Sequence, residues 1–311
     1  MRQSVPWSQR ISIWLALSRA PFLSVGFLPF LLGVVIAWSE GNPLRWGVFF
    51  LSLLAVILIM LTTYYAGEYY DYASDFLNRE YNRFSGGSRV IPAGLVPRHY
   101  PLVASYVSLG LAIILGLILQ FYYQTGPYTI PLGAFGLLCG FFYSSKPLQW
   151  AYRGVGEILI GVCYGWLTVN AAYYLQTGHF SALATLVSLP IALTIFLVIL
   201  INEFPDIGAD MMVGKRTLVV RFGREAMANL YMVILAVSFG AILIGLPFGV
   251  PGLVGILSPL VLLLVIGNIR AIRGRGYEDS EVLEKLCGRT ILINLLISGI
   301  YLVAFAVEGW L

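Results

Sequence analysis

Nine apolar stretches constrain this chain more than any other feature, near residues 21–38, 46–66, 101–121, 128–144, 155–174, 181–201, 227–247, 251–269 and 290–307. A helix crosses the hydrocarbon core of a bilayer in roughly 17–25 residues, and each stretch is about that long. In lipid, every backbone N–H and C=O must be satisfied within a helix or a closed barrel. The alternating pattern of a membrane barrel strand is absent, so the stretches read as helices. The expected fold is all-α, a polytopic membrane protein with nine transmembrane helices. Charge agrees: 11% of the 311 residues are charged, against roughly 25% in soluble domains. The first stretch follows a basic segment and lacks a small-x-small cleavage site near Trp38, so it reads as a retained helix rather than a signal peptide.

The basic residues orient these helices. Counting nine crossings, 18 of the 19 Lys and Arg fall on one side, leaving Arg45 on the other. The positive-inside rule then makes that side cytoplasmic, with the N-terminus inside and the C-terminus outside. The expected location is a prokaryotic plasma membrane. Thirteen of the 15 acids lie on the same side, all but Glu40 and Glu308. Both signs of charge gather on one face, as an ionic site requires. Cys139, Cys163 and Cys287 lack metal-ligand spacing and read as free cysteines in apolar surroundings.

Two polar loops follow the second and sixth stretches, and both open on an acidic motif. The first runs Gly67-Glu68-Tyr69-Tyr70-Asp71-Tyr72-Ala73-Ser74-Asp75, and the second Asn202-Glu203-Phe204-Pro205-Asp206-Ile207-Gly208-Ala209-Asp210. Each is followed by a basic, glycine-containing run: Gly86-Gly87-Ser88-Arg89 and Gly214-Lys215-Arg216-Thr217. The motifs lie four helices apart and start from the same side. The chain therefore reads as one membrane domain over 1–311, built from two parallel four-helix repeats (about 20–145 and 155–270) plus a ninth helix. Such repeats place a site between halves, here a central cavity open to the cytoplasmic face.

Residues three and four apart share a helix face. Glu68, Asp71 and Asp75 are expected to form one acidic stripe, and Asn202 or Glu203, Asp206 and Asp210 another. Like charges at this spacing repel, and a carboxylate near lipid costs roughly 2–3 kcal/mol more. Divalent cations offset both terms. Oxygen-only ligands without His or Cys point to Mg²⁺, which takes one or two carboxylates together with substrate phosphate. Arg83, Arg89, Lys215 and Arg216 are candidates to bind phosphate oxygens. The alternative for each is a residue that orients the membrane protein.

At these residues the sequence resembles the UbiA superfamily of membrane prenyltransferases, over nearly its whole length. The resemblance implies nine helices, with two Asp-rich motifs at the cytoplasmic ends of helices two and six that bind Mg²⁺ and an isoprenoid diphosphate. Asp71 and Asp75 match the first motif; Asn202, Asp206 and Asp210 match the second. Gly67 and Glu68 stand where the family has Asn and Asp, so Glu68 is a substitute carboxylate at the metal. Further stretches look like 1,4-dihydroxy-2-naphthoate prenyltransferases of menaquinone synthesis. They are the loop at Gly86-Gly87-Ser88-Arg89, Tyr152-Arg153-Gly154-Val155-Gly156-Glu157, and Tyr173-Tyr174-Leu175-Gln176-Thr177-Gly178. Arg153, with Tyr143 and Lys146 of the 4–5 loop, joins the substrate-binding candidates, although Lys146 departs from the menaquinone-type pattern.

The implied reaction is Mg²⁺-dependent transfer of a polyprenyl group from its diphosphate to an aromatic acceptor, 1,4-dihydroxy-2-naphthoate on this resemblance. Other acceptors remain open, including 4-hydroxybenzoate, homogentisate, a lipid or a sugar. The expected partners are those two substrates and the lipid bilayer, with no nucleic acid. A secondary transporter is the reading from a different class, since it too combines repeats with intramembrane carboxylates. Its site belongs near mid-membrane, whereas these acids lie at one face.

Overall fold

A computed structural model describes residues 7–310, and all their regular structure is helical. The expectations for Arg2 and the N-terminus itself lie outside the described residues. Helix α1 (Trp7–Leu17) turns Trp7, Ile11, Trp14 and Leu15 outward and buries Ile13 and Leu17. An outward stripe containing two tryptophans suits the boundary between lipid and water.

Seven helical runs are long and apolar enough to cross a membrane: Ala20–Ser39, Trp46–Tyr70, His99–Tyr122, Gly156–Thr177, Ala182–Asn202, Leu218–Phe248 and Ser280–Trp310. They contain α2 (Ser24–Ser39), α3 (Trp46–Tyr70), α5 (His99–Leu117), α7 (Gly156–Gly161), α8 (Thr168–Thr177), α9 (Ala182–Asn202), α11 (Leu218–Gly245) and α14 (Ser280–Trp310). A π-helical segment, Val162–Leu167, joins α7 to α8. The six-residue helices α4 (Tyr72–Leu77) and α10 (Ile207–Met212) follow α3 and α9.

Seven long runs, rather than nine, are thus established among the described residues. The other two apolar stretches form shorter helices. Helix α6 (Thr129–Phe141) has 13 residues, about 20 Å of rise against a hydrocarbon core of roughly 30 Å. The stretch at 251–269 divides into α12 (Gly252–Leu257) and α13 (Pro259–Arg273), where Pro259 brings no backbone N–H. Two helices start earlier than hydropathy suggests. Helix α11 begins at Leu218, where the Thr217 side chain accepts from Val220 N, and α14 begins at Ser280. Their first turns carry charged residues that hydropathy does not score as membrane.

The largest apolar core lies among α2, α9, α11, α13 and α14, with Leu32, Ile191, Leu197, Leu235, Ile293 and Phe305 buried in it. A buried polar cluster ties three of these helices. Asn268 of α13 donates to Tyr231 of α11 at 2.9 Å, and Tyr231 pairs with Thr290 of α14 at 2.6 Å. Bonds of this kind between membrane helices are worth roughly 0.6–2 kcal/mol. Close approach elsewhere depends on glycine: a Cβ on Gly33 of α2 would lie 2.2 Å from the carbonyl oxygen of Val169 in α8. Helix α5 stands at the edge. It packs along α3, touches α6 lightly and exposes Tyr106, Ile114 and Leu117.

Candidate active site

Both acidic motifs are built in the same way. A long helix ends at Tyr70 or Asn202, and the chain turns at an aspartate. Asp71 has φ −87° and ψ 4°, and Asp206 has φ −86° and ψ −9°. A six-residue helix then carries the second aspartate, Asp75 or Asp210, in its first turn. The expectation of one continuous helical stripe per motif is therefore corrected. In each motif the middle aspartate lies in the break and precedes the short helix that carries the second one, Asp71 directly after α3 and Asp206 at the end of the turn 203–206.

The two short helices pack together, and each motif receives donors from outside itself. Ser74 donates to Asp210 Oδ1 at 2.6 Å, and Asn78 donates to Asp206 Oδ1 at 2.6 Å. The backbone N–H of Gly86 reaches Asp206 Oδ2 at 3.4 Å. Ser144, in the loop after α6, donates to Asp71 Oδ2 at 2.6 Å. Lys215 Nζ lies 3.5 Å from Asp210 Oδ1. These donors offset much of the repulsion expected from the sequence.

What they leave over bears on the metal. Asp71 Oδ1, Asn202 Oδ1, Glu203 Oε2 and Asp210 Oδ2 are buried without a hydrogen-bond partner among the described residues. A buried acceptor left bare costs about 1–3 kcal/mol, and all four are hard oxygen donors, the kind Mg²⁺ takes. Among the described residues, no group of three or more His, Cys, Asp or Glu is drawn together tightly enough to hold a metal ion unaided. The residues fit an ion that keeps waters and is completed by substrate phosphate.

The electrostatics describe a site short of positive charge. Burial, then the charges of Asp71 and Glu68, push the Asp75 carboxyl well above the usual range, while Lys215 and Arg19 pull against them. Burial, then Asp210, raises Asp206 to about 6. Burial, then Glu157, raises Glu203. Burial works to lower the Lys215 ammonium pKa, but Asp210 and Asp71 outweigh it and leave the group well above its ordinary value. Carboxyls held towards their protonated form and a lysine held charged are what a pocket awaiting a cation and an anion should show.

Asp71, Asp75, Asn202, Glu203, Asp206 and Lys215 all line one pocket, and Tyr143 borders it. Glu68 also lines it, but not as the free ligand expected. Its two carboxylate oxygens accept from Ser88, the backbone N–H at 2.8 Å and the hydroxyl at 2.6 Å. It holds the Gly86-Gly87-Ser88 turn in place. Gly86 and Gly87 both sit at φ 70°, and a Cβ on Gly87 would fall 2.2 Å from Asp75 Oδ2. The loop's backbone is thereby pressed against the carboxylate.

Of the expected phosphate-binding cations, Lys215 lines this pocket. Arg83 is exposed and pairs with Glu284 at 3.1 Å. Arg89 donates to the Asp75 carbonyl and stacks over Tyr81. Arg153 donates to the Pro147 carbonyl at 3.0 Å, and Lys146 and Arg216 are exposed. None of these five lines the pocket. Arg89 thus reaches the first motif through its backbone and not through a carboxylate, while Arg83, Lys146, Arg153 and Arg216 are exposed. Sequence reasoning missed Arg19, which lines the pocket from a left-handed turn before α2 (φ 46°). Read as a membrane-orienting residue, it carried no signal beyond its place at the start of the first apolar stretch. Glu157 was named without a role. Fully buried, it accepts from Leu218 N at 2.6 Å and fixes the start of α11.

A second, largely apolar cavity joins this pocket. Thr63, Tyr143, Ile160 and Tyr164 line both, and the cavity continues between α3, α5, α6 and α8 to Ser52, Thr129 and Leu175.

A family model described as the UbiA prenyltransferase family matches residues 26–305. A 1,4-dihydroxy-2-naphthoate octaprenyltransferase of Bacillus subtilis is 29% identical over 72% of this chain and 70% of its own. The enzyme of that name in Escherichia coli is 25% identical over 97% of both chains. Among solved structures, a UbiA homolog from Aeropyrum pernix superposes with a TM-score of 0.67 over 90% of this chain and 97% of its own, at 15% identity. One from Archaeoglobus fulgidus bound to DMAPP and Mg²⁺ does so with 0.60, over 93% and 98%, at 14%. At these identities the likeness to the solved structures establishes the fold.

Proposed function

We propose, for a chain that belongs to the UbiA prenyltransferase family, that it transfers a polyprenyl group from an isoprenoid diphosphate to 1,4-dihydroxy-2-naphthoate with Mg²⁺. It is an integral membrane protein, as its long apolar helices and its family indicate. The observation that carries the reaction is the set of four bare, buried oxygens on the two motifs, beside a charged lysine and an apolar cavity. The acceptor rests on the two naphthoate-acting relatives.

In this reading Asp71, Asn202, Asp206 and Asp210 hold the metal, with Asp75 beside them and Glu68 positioning the glycine turn. Bound Mg²⁺ supplies charge neutralisation for the departing pyrophosphate. Lys215 and Arg19 hold the diphosphate from the protein side, as point charge and guanidinium do. Ser144, Ser74 and Asn78 keep three carboxylates oriented before substrate arrives, so little reorganisation remains at the moment of reaction. The apolar walls beyond Tyr143 exclude water from the allylic cation as the C–O bond breaks. The acceptor ring carbon then attacks that cation, and its carboxyl group leaves as carbon dioxide. The proposal extends to nine crossings in two four-helix repeats, 20–145 and 155–270, with the site at the cytoplasmic face. The matching backbone angles at Asp71 and Asp206 support the repeat.

The test is an assay of purified protein with several prenyl diphosphates, 1,4-dihydroxy-2-naphthoate and competing aromatic acceptors, with Mg²⁺ and with chelator. Prenylated, decarboxylated naphthoate formed when Mg²⁺ is present is the expected result. Full turnover in excess chelator, or preference for another acceptor, would overturn the corresponding part.

A further inference from the structure

We propose that Cys139 and Cys163 form an oxidisable dithiol beside the reacting centre, which a membrane-soluble 1,4-naphthoquinone converts to a disulfide and so slows turnover. The inference rests on the prenyl-transfer reading above and adds to it a modification site that couples synthesis to the redox state of the membrane.

The two thiols face each other. Cys139 belongs to α6 and Cys163 to the π-helical segment Val162–Leu167, and their side chains are hydrogen-bonded to one another. The register of the two elements agrees. A Cβ on Gly136 would lie 3.4 Å from Leu167 Cδ2, which sets 136 beside 167. Residues three and four along share that face, so antiparallel packing brings 139 beside 163. Side chains already in contact meet the first condition for a disulfide, that their β-carbons point at each other. Cys287 has no such partner. It lies buried on α14, donates to the Ile201 carbonyl and lines neither the carboxylate pocket nor the apolar cavity.

The pair stands where the two cavities meet. Thr63, Tyr143, Ile160 and Tyr164 line both. Cys139 lies one turn before Tyr143, and Cys163 lies between Ile160 and Tyr164; both cysteines line the apolar side. In the prenyl-transfer reading the allylic carbon sits at this junction, so the ring that bonds to it comes to rest beside the sulfurs. Two simpler roles explain less. A structural thiolate zinc site takes four ligands, and among the described residues no group of three or more His, Cys, Asp or Glu could hold a metal ion. Cysteines that serve as packing are covered by protein, whereas these two border open space.

The chemistry balances with the product's own oxidised form. The proposed product is a prenylated 1,4-dihydroxynaphthalene, and loss of two electrons and two protons makes it a 1,4-quinone. In the step at the cysteines each sulfur gives up one hydrogen, one S–S bond forms, and the quinone oxygens take both electrons and both protons to give the hydroquinone. Thiolate character and access decide which cysteine is oxidised. Access here is through an apolar cavity, which favours an oxidant that dissolves in lipid over a charged one from water. Replacing a hydrogen-bonded contact by a covalent bond draws α6 towards the Val162–Leu167 segment. Tyr143 and Ser144 follow one turn on, and the Ser144 hydroxyl holds Asp71 Oδ2 at 2.6 Å. The disulfide therefore moves a donor that orients a carboxylate of the site.

The test incubates purified wild-type protein with a short-chain prenyl-1,4-naphthoquinone in detergent, without oxygen. The protein is then unfolded, alkylated with a maleimide and mapped by peptide mass. Cys287 alone should be alkylated, in place of all three cysteines, with one hydroquinone formed per protein, and dithiothreitol should restore the other two. Turnover of the oxidised protein should fall by at least about tenfold, as when a positioned group is misplaced by about 1 Å, and return on reduction. Cys163→Ser should keep its turnover and lose the response; Cys287→Ser should keep both. Three alkylated cysteines after quinone treatment, or a naphthoquinone ring left on a sulfur after reduction, would overturn the dithiol while prenyl transfer upheld the reading above. A disulfide that left turnover unchanged would overturn its coupling to Asp71. A protein that transferred no prenyl group from any donor would overturn the prenyl-transfer reading and this inference with it.

Discussion

Ser74 donates its hydroxyl hydrogen to Asp210 Oδ1 across 2.6 Å, joining the short helix of the first acidic motif to that of the second. Asp210 is fully buried, so Ser74→Ala removes the short bond to Oδ1 and leaves that oxygen facing Lys215 at 3.5 Å. The expected cost is about 1–3 kcal/mol of stability, read as a lower unfolding midpoint in detergent, with reduced turnover. Ser74→Thr keeps the donor and should recover most of both. An unchanged midpoint in Ser74→Ala would show that the bond contributes nothing.

Asp71→Ala, Asp206→Ala and Asp210→Ala should each lower kcat by about 10²–10³-fold, the usual effect of removing one group that stabilises developing charge. The proteins should still insert and purify as single species. Glu68→Ala should behave differently, because both its oxygens are spent on Ser88. It should raise KM for the diphosphate more than it lowers kcat. Near-normal rates in the three aspartate variants would make those acids structural.

Gly87 and Gly94 separate backbone strain from a steric clash. Both sit at φ 70°, which costs a side-chain-bearing residue roughly 1–2 kcal/mol. A Cβ on Gly94 meets nothing, whereas one on Gly87 strikes the Asp75 carboxylate. Gly94→Ala should lose a little stability and keep its turnover; Gly87→Ala should lose most activity as well. Equal effects on turnover would argue against a loop fitted to Asp75.

Stability should respond to pH and metal together. The folded Asp206 carboxyl holds its proton up to about 6, against an ordinary 3.8. Between those values the folded state binds more protons than the unfolded chain, so stability falls as pH rises through that window. A divalent cation binds the deprotonated form and reverses the trend. Without metal the unfolding midpoint should be lower at about pH 7 than at about pH 5, and Mg²⁺ should raise it far more at the higher pH. A metal-independent midpoint at neutral pH would contradict the assignment of the carboxylates.

The repeat needs both motifs on one membrane face. Arg83→Cys and Met212→Cys, at exposed positions after each motif, should label with an impermeant thiol reagent from the cytoplasm. Tyr122→Cys, exposed at the end of the third long run, should label from outside. The background lacks the three native cysteines. Arg83→Cys and Met212→Cys labelling from opposite faces would put the motifs across roughly 30 Å of hydrocarbon and end the shared site.

The sequence made the helices and the acids legible for reasons of scale. An apolar run of some twenty residues has few alternatives in lipid, and a motif that occurs twice stands out against its surroundings. What stayed hidden depends on turns. The bend at Asp71 has no proline or glycine beside it, whereas Pro205 stands directly before Asp206 and is a breaker signal that the helical-stripe reading passes over. The donors Ser74, Asn78 and Ser144 are ordinary polar residues, identified only by the carboxylates they face. The arginines misled because charge near a motif is also what orients a membrane protein. Arg19 carried that same ambiguity and proved to line the pocket. Helix α6 read as a full crossing because Phe142 and Tyr143 extend its apolar run beyond Phe141, where the helix stops.

The bond between Ser74 and Asp210 also bears on how the protein is made. Its two ends lie 136 residues apart, and ribosomes add about 5–20 residues per second. Asp210 therefore leaves the ribosome on the order of ten seconds after Ser74, and Asp206 follows Asn78 by a similar interval. Throughout that time the first half of the nascent chain holds donors with no acceptor and an acidic turn with no counterpart. They must stay hydrated at the edge of the insertion machinery until the sixth apolar stretch arrives. A chain truncated before residue 200 should consequently be a substrate for membrane quality control, even though its long runs are apolar enough to insert.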